Sequence, residues 1–213
     1  MIRTLFVIVW IVFVTGIFSF IAILASLIGK RGQAPHKVAR VWARSILAAA
    51  QVKVTVKGLS NLDLSRSYIY MSNHQSNFDI PVLLAYLTVQ FRWLAKAELF
   101  RIPIFGFAMQ RAGYISIDRS NRKSAILSLQ RAAEIISGGV SVLIFPEGTR
   151  SRDGNIRSFK KGGFVLAIDS GVPIVPVIIH GTWPIMSKER LLIKPGKVVL
   201  EIGKPVETLN YTR

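Results

Sequence analysis

The chain has 213 residues and no cysteine, and its 28 Lys and Arg against 11 Asp and Glu give a formal net charge of +17. That length holds one ordinary domain plus one appendage, and the missing cysteines exclude a disulfide framework, a thiol nucleophile and a thiolate metal site and fit a reducing compartment. The charge calls for an anionic partner, and the 51% hydrophobic fraction points to lipid headgroups or a phosphorylated substrate rather than to nucleic acid.

Thr4 to Gly29 is a run of 26 uncharged, mostly aliphatic and aromatic residues. As a helix it is about 39 Å long, more than the roughly 30 Å of a hydrocarbon core. Its apolar run is too long for a cleaved signal peptide and no small-x-small cleavage site is evident. The segment either spans the bilayer or bends at Gly16, Ser19 or Gly29 and dips into one leaflet. Lys30, Arg31, Lys37, Arg40, Arg44 and Lys53 follow, and the first acidic residue is Asp63, which places this side in the cytoplasm. Pro35 to Ala50 reads as a second helix, with Val38, Val41, Trp42, Ser45 and Ile46 along one side and Lys37, Arg40 and Arg44 near another. That pattern suits an interfacial amphipathic helix or, alternatively, a helix packed on the soluble domain. Residues 1–50 are therefore expected to be a membrane-anchoring pair of helices.

From Gln51 short apolar strands alternate with helices, the pattern of an α/β domain over residues 51–213. Strands are predicted at 52–56, 68–71, 92–95, 114–118, 141–145, 174–179 and 197–202, and helices at 79–87, 104–110, 121–137 and 162–170. The expected architecture is a single mixed sheet flanked by helices. Val172 to Val177, VPIVPV, is a proline-interrupted strand that cannot pair fully on both edges and reads as core or the wall of an apolar groove.

The chemistry is expected at Asn73 to Asp79, NHQSNFD. A five-residue offset leaves His74 and Asp79 about 140° apart on a helix and on opposite faces of a strand, so the two meet only across a turn. Such a turn lies between the strand before Ser72 and the helix starting at Asp79, where a carboxylate can hold a histidine as general base. Spacing alone is equally met by Asp79 as a helix cap and His74 as an ordinary loop histidine. Phe145 to Ser151, FPEGTRS, follows a strand and opens a stretch with Arg150, Arg152, Arg157, Lys160 and Lys161 against Asp153 alone. A basic loop at a strand's carboxyl end suits an anion, and a solvated charged turn reads the same way. Arg119, ending GYISIDR, and Lys96, in LAKAEL, carry the same two readings. The chain lacks G-x-S-x-G, G-x-x-x-x-G-K-[ST], H-E-x-x-H and G-x-G-x-x-G, which removes support for a serine hydrolase, a nucleotide hydrolase, a zinc protease and a dinucleotide enzyme.

Taken together, NHQSNFD, GYISIDR, FPEGTRS and VPIVPV resemble, in order and separation, the four sequence blocks of the glycerolipid acyltransferases, nearest to the bacterial 1-acyl-sn-glycerol-3-phosphate acyltransferases. The resemblance covers about residues 50–205. It implies transfer of a fatty acyl group from acyl-CoA or acyl carrier protein to the 2-hydroxyl of lysophosphatidic acid, without an acyl-enzyme, metal or prosthetic group. By the same resemblance His74 is the base and Asp79 its orienting partner. Arg119, Arg150 and Lys96 are the phosphate ligands, and Glu147, Gly148 and Thr149 shape the acceptor site. Charge, composition and the positive-inside pattern make an anionic membrane surface the expected partner, with no nucleic acid, and put the site on the cytoplasmic side of the inner membrane. Alternatives to the family reading are another acceptor, such as glycerol 3-phosphate, and a non-catalytic basic module tethered to the membrane.

Overall fold

The structure, a computed structural model, describes residues 1–28, 32–118 and 121–212. Two helices open it: α1 (Ile2–Ala25) and α2 (Gln33–Ala49) pack against each other. The α/β part runs β1 (Val52–Lys57), β2 (Ile69–Ser72), α3 (Asp79–Tyr86), β3 (Phe91–Lys96), α4 (Phe105–Arg111), β4 (Ile115–Ile117), α5 (Arg122–Ser137), β5 (Ser141–Ile144), α6 (Gly162–Ser170), β6 (Ile174–His180) and β7 (Gly196–Ile202). These elements follow the predicted ones to within a residue or two.

The seven strands form one mixed sheet in the order β1-β7-β6-β2-β5-β3-β4. All neighbours are parallel except β6 and β7, so β1 and β7 run against the other five. The central strands are buried on both sides, which explains their continuous apolar runs. In β2 the alternation sends Tyr70 into the core under α1, α2 and α3, and Ile69 and Met71 into the core shared with α5 and α6. Pro176 in β6 faces Met71 of β2 on one side. On the other side the β7 ladder begins only at Val177, and the Pro176 carbonyl accepts from Gly203 N–H at 2.8 Å. The proline thus occupies a position where no ladder donor is required.

α1 lies along the domain and is fixed at both ends. Near its start the Thr4 hydroxyl accepts from Ile193 N–H at 3.2 Å and Arg3 donates to the Ala50 carbonyl; near its end Arg111 donates to the Ser26 hydroxyl at 2.8 Å. One stripe, including Val7, Val14, Ser19 and Ala22, is buried, while Leu5, Phe6, Val9, Phe13 and Phe20 are exposed. α1 is long and apolar enough to cross a membrane. α2 packs on the domain, as the alternative reading had it: His36, Ala43, Ile46 and Leu47 are buried, with α1 and α3 as neighbours. Of the apolar stripe read from the sequence, Ile46 is in the core and Trp42 packs against it, while Val41 is exposed. Lys30 and Arg31 lie outside the described residues.

Candidate active site

Four adjacent parallel strands, β2, β5, β3 and β4, bring their carboxyl ends to one edge, the usual ligand edge of an α/β sheet. The loop after β2 carries His74, the loop after β5 carries FPEGTRS, and β3 ends at Lys96. The topology therefore collects motifs that are far apart in the chain.

His74 and Asp79 do meet across the turn. Imidazole Nδ1 lies 2.8 Å from Asp79 Oδ2, and that oxygen also accepts from the backbone N–H groups of Gln75 at 2.7 Å and Ser76 at 2.8 Å. Asp79 is fully buried and is the first residue of α3, yet its carboxylate closes the preceding loop and makes no side-chain cap to its own helix. Because a carboxylate only accepts, the hydrogen bond assigns the proton to Nδ1 and leaves Nε2 as the basic atom. The ring is stacked on Phe145 with centroids 3.9 Å apart and planes 9° apart, and Phe145 in turn stacks on Trp93 at 5.5 Å. Carboxylate and aromatic wall together leave the imidazole little freedom to rotate.

The loop after β5 grips the backbone of His74 from both sides. His74 N–H donates to Glu147 Oε1 at 2.7 Å, and the His74 carbonyl accepts from Ser151 N–H at 2.7 Å. Glu147 is 3% exposed, and its other oxygen accepts from Arg157 N–H at 3.0 Å. Next to it, Gly148 adopts φ +73°, and a Cβ there would stand 2.8 Å from Lys160 Cε, so the tight turn depends on glycine. On the opposite flank the Asn73 amide pairs with both backbone groups of Ile179, at 2.9 Å to the carbonyl and 2.8 Å from the N–H. Each of these contacts fixes where the imidazole sits.

A cavity of about 570 Å³ opens at His74. Its polar lining includes Lys96, Thr149, Arg150 and Lys188, together with Gly148. Lys188 Nζ donates to Thr149 Oγ1 at 3.2 Å, and Arg150 makes no ion pair with any described residue. Lys96 is exposed and lies 3.4 Å from Glu98. The remaining wall is mostly apolar and is built by α1, α2, α3, β3 and α4, with Phe18, Ala22, Trp42, Leu84 and Met109 among its residues. That volume falls in the range of roughly 300–1,000 Å³ typical of pockets that enclose one small ligand.

Of the candidate residues, His74, Lys96, Gly148, Thr149 and Arg150 line this one cavity, with Asp79 behind the histidine. Glu147 lies beneath it as a brace between loops, and Arg119 lies outside the described residues. Reading the sequence did not single out Asn73, Phe145, Trp93 or Lys188 as functional. Asn73 and Phe145 do open the two main motifs, which is a usable signal. Lys188 lies in the charged loop run Lys188 to Arg190, outside every motif, and carries none.

An ordered base on the wall of a largely apolar cavity that also carries cations suits chemistry at the head of a long apolar molecule. Comparison with known proteins agrees with that class. Residues 53–180 match the Acyltransferase family, and the chain belongs to this family. It is 40% identical over 173 residues to the chloroplastic 1-acyl-sn-glycerol-3-phosphate acyltransferase of Arabidopsis thaliana, covering 80% of this chain and 48% of that protein. It is 31% identical over 204 residues to the human 1-acyl-sn-glycerol-3-phosphate acyltransferase alpha, covering 94% of this chain and 72% of that one. The crystal structure of the 1-acyl-sn-glycerophosphate (LPA) acyltransferase PlsC from Thermotoga maritima superimposes with a TM-score of 0.84 at 31% identity, covering 100% of this chain and 88% of that one. The chain spans about half the length of several of the curated plant and algal relatives it matches.

Proposed function

We propose that the chain is a 1-acylglycerol-3-phosphate O-acyltransferase that moves a fatty acyl group from a thioester to the 2-hydroxyl of lysophosphatidic acid, giving phosphatidic acid. The observation that carries this reading is the His74–Asp79 pair, 2.8 Å apart, at the junction between a cluster of cations and an apolar cavity. His74 Nε2 takes the proton of the acceptor hydroxyl as that oxygen attacks the thioester carbonyl, while Asp79 stabilises the imidazolium. The tetrahedral intermediate collapses with cleavage of the C–S bond, and the imidazolium returns its proton to the departing thiolate. No protein nucleophile is needed. General-base assistance of this kind is worth about 10²–10⁴ in rate, and the remainder comes from holding both substrates in register.

Arg150, with Lys188 and Lys96 beside it, serves as the seat for the acceptor phosphate, and Arg119 is a further candidate ligand. Gly148 and Thr149 shape the acceptor site, and Glu147 holds the loop that presents them. The apolar cavity takes the acyl chain.

Residues 1–50 act as the membrane-anchoring segment and residues 51–213 as the catalytic domain. Because α1 is tied to the domain at both ends, its exposed face of Leu5, Phe6, Val9, Phe13 and Phe20 enters one leaflet while the opposite stripe roofs the cavity. A cleaved signal sequence would take that roof away. The basic surface then faces anionic headgroups on the cytoplasmic side of the inner membrane, where the amphiphilic acceptor resides.

Purified protein in mixed micelles, given a radiolabelled palmitoyl donor as either the coenzyme A or the carrier-protein thioester, is expected to acylate lysophosphatidic acid. Monoacylglycerol, which lacks the phosphate, should react at least tenfold more slowly, the ratio set by one lost charged contact of about 1.5–3 kcal/mol. Equal rates with the two acceptors would overturn the assignment of a phosphate site.

A further inference from the structure

Beside the catalytic cavity lies a second pocket of about 320 Å³, bounded by the loop after β5 and by the segment that joins β6 to β7. Its walls include Trp183, Arg152, Arg190, Lys194 and Glu189. The indole is held in one orientation: Nε1–H donates to the Arg152 carbonyl at 3.1 Å, and Gly154 packs on the ring. Gly154 has φ +87°, and a Cβ there would stand 3.2 Å from Trp183 Cγ, so only glycine lets the loop lie this close. Three cations meet one carboxylate in the pocket, and Glu189 lies 3.7 Å from Arg152 while Arg190 and Lys194 are solvent-exposed. None of this is used by the chemistry at His74.

The two pockets share a rim. Arg150 and Lys188 line the catalytic cavity, whereas Arg152 and Glu189, one or two positions further along the same two loops, line the second pocket. A thioester whose carbonyl reaches His74 and whose apolar tail fills the cavity must send the other end of its thiol arm across that rim. A fixed aromatic plane bordered by arginine and lysine is the usual combination for stacking a purine and pairing its phosphates. The pocket is too small for the surface of a folded carrier protein, and it suits a single nucleotide.

We infer that this pocket binds the 3′-phosphoadenosine end of an acyl-coenzyme A donor, with the adenine on Trp183 and the phosphates on Arg190, Lys194 and Arg152. The inference rests on the acyl-transfer reading above and adds the position and chemical class of the donor's head.

Adenosine 3′,5′-bisphosphate, titrated calorimetrically into the purified full-length protein, is expected to bind one equivalent. Arg190→Glu reverses one exposed charge without disturbing the core and should weaken that binding at least about tenfold, and Trp183→Leu should do so comparably. In turnover, Arg190→Glu should raise KM for palmitoyl-CoA about tenfold and leave kcat unchanged. KM for the palmitoyl thioester of N-acetylcysteamine, which has no nucleotide, should stay the same. Absence of bisphosphate binding to the parent would overturn the inference, as would equal KM changes for both thioesters or a KM change confined to an acyl carrier protein donor. Binding is measured without an acceptor, so a parent that binds the bisphosphate but does not acylate lysophosphatidic acid supports the nucleotide site while refuting the acceptor assignment. A parent that acylates it without binding the bisphosphate does the reverse.

Discussion

Glu147 links the two loops that make the site, and its replacement separates bracing from substrate contact. Its two oxygens accept N–H groups of His74 at 2.7 Å and Arg157 at 3.0 Å in a place that is 3% exposed. A carboxylate can accept both, whereas glutamine offers one acceptor oxygen and one amide that would face an N–H. In Glu147→Gln one donor is orphaned, at about 1–3 kcal/mol, and the surviving bond loses its charge assistance. Relief of a buried charge offsets part of this, so a net loss of about 2–3 kcal/mol is expected. For a chain of this size that lowers Tm by roughly 4–12 °C. Glu147→Ala orphans both donors and frees the His74 backbone on one side. A displacement of about 1 Å at the base is worth roughly 10² in rate, so kcat should fall by about that factor in Ala and about tenfold in Gln, with acceptor KM nearly unchanged. Thermal unfolding in detergent and steady-state acyl transfer read both effects. A Glu147→Ala protein with unaltered Tm and kcat but a raised acceptor KM would refute the bracing role and make Glu147 a substrate ligand.

Three further predictions follow from the packing. Ala22 is buried on α1 and lines the apolar cavity, so Ala22→Phe should shorten the acyl chains that are transferred; an unchanged profile in competition among C10 to C18 donors would place the chain elsewhere. His36 is buried beside Arg92 and Arg40; burial first and these charges second lower its pKa from 6.5 to about 3. The unfolded chain then binds a proton that the folded one refuses, so this contribution is complete above pH 6.5 and is lost by about 1.4 kcal/mol per pH unit as pH falls toward 3. Between pH 6.5 and 5 the loss is about 2 kcal/mol, and His36→Gln should remove that part of the acid dependence of Tm. On α1, Phe13 and Phe20 are 58% and 59% exposed, and burying each in lipid is worth about 1.5–3 kcal/mol. Changing both to Asp should release the protein from anionic vesicles in a flotation assay, and undiminished flotation would rule out α1 as the immersed surface.

What could be read from the sequence was what is encoded locally. The strand and helix periods placed nearly every element, the prolines and glycines marked their ends, and the five-residue offset meant that His74 and Asp79 could meet only across a turn. The buried carboxylate at 2.8 Å is that turn. Contacts between distant segments were not legible, because pairing partners leave no local signature. His74 and Glu147 are 73 positions apart, and Asn73 and Ile179 are 106 apart. They meet only because β5 inserts between β2 and β3 and β6 flanks β2 on the other side. The face of α2 that is buried depends likewise on α1 and α3 packing against it, so His36 could not be identified as a core residue from its neighbours in sequence. Lys188 reaches the cavity through the turn after β6, where the Met186 carbonyl accepts from the Ser76 hydroxyl at 2.7 Å, a contact no motif announces.

The central claim is that His74 removes the proton from the acceptor hydroxyl. Its most direct test is single-turnover transfer of a radiolabelled palmitoyl group to lysophosphatidic acid by His74→Ala protein that retains the parental Tm and vesicle binding. The geometry predicts a rate lower by about 10²–10⁴, with acceptor binding intact and no labelled protein at any time point. Near-parental turnover, or a palmitoyl group covalently trapped on the chain, would contradict it.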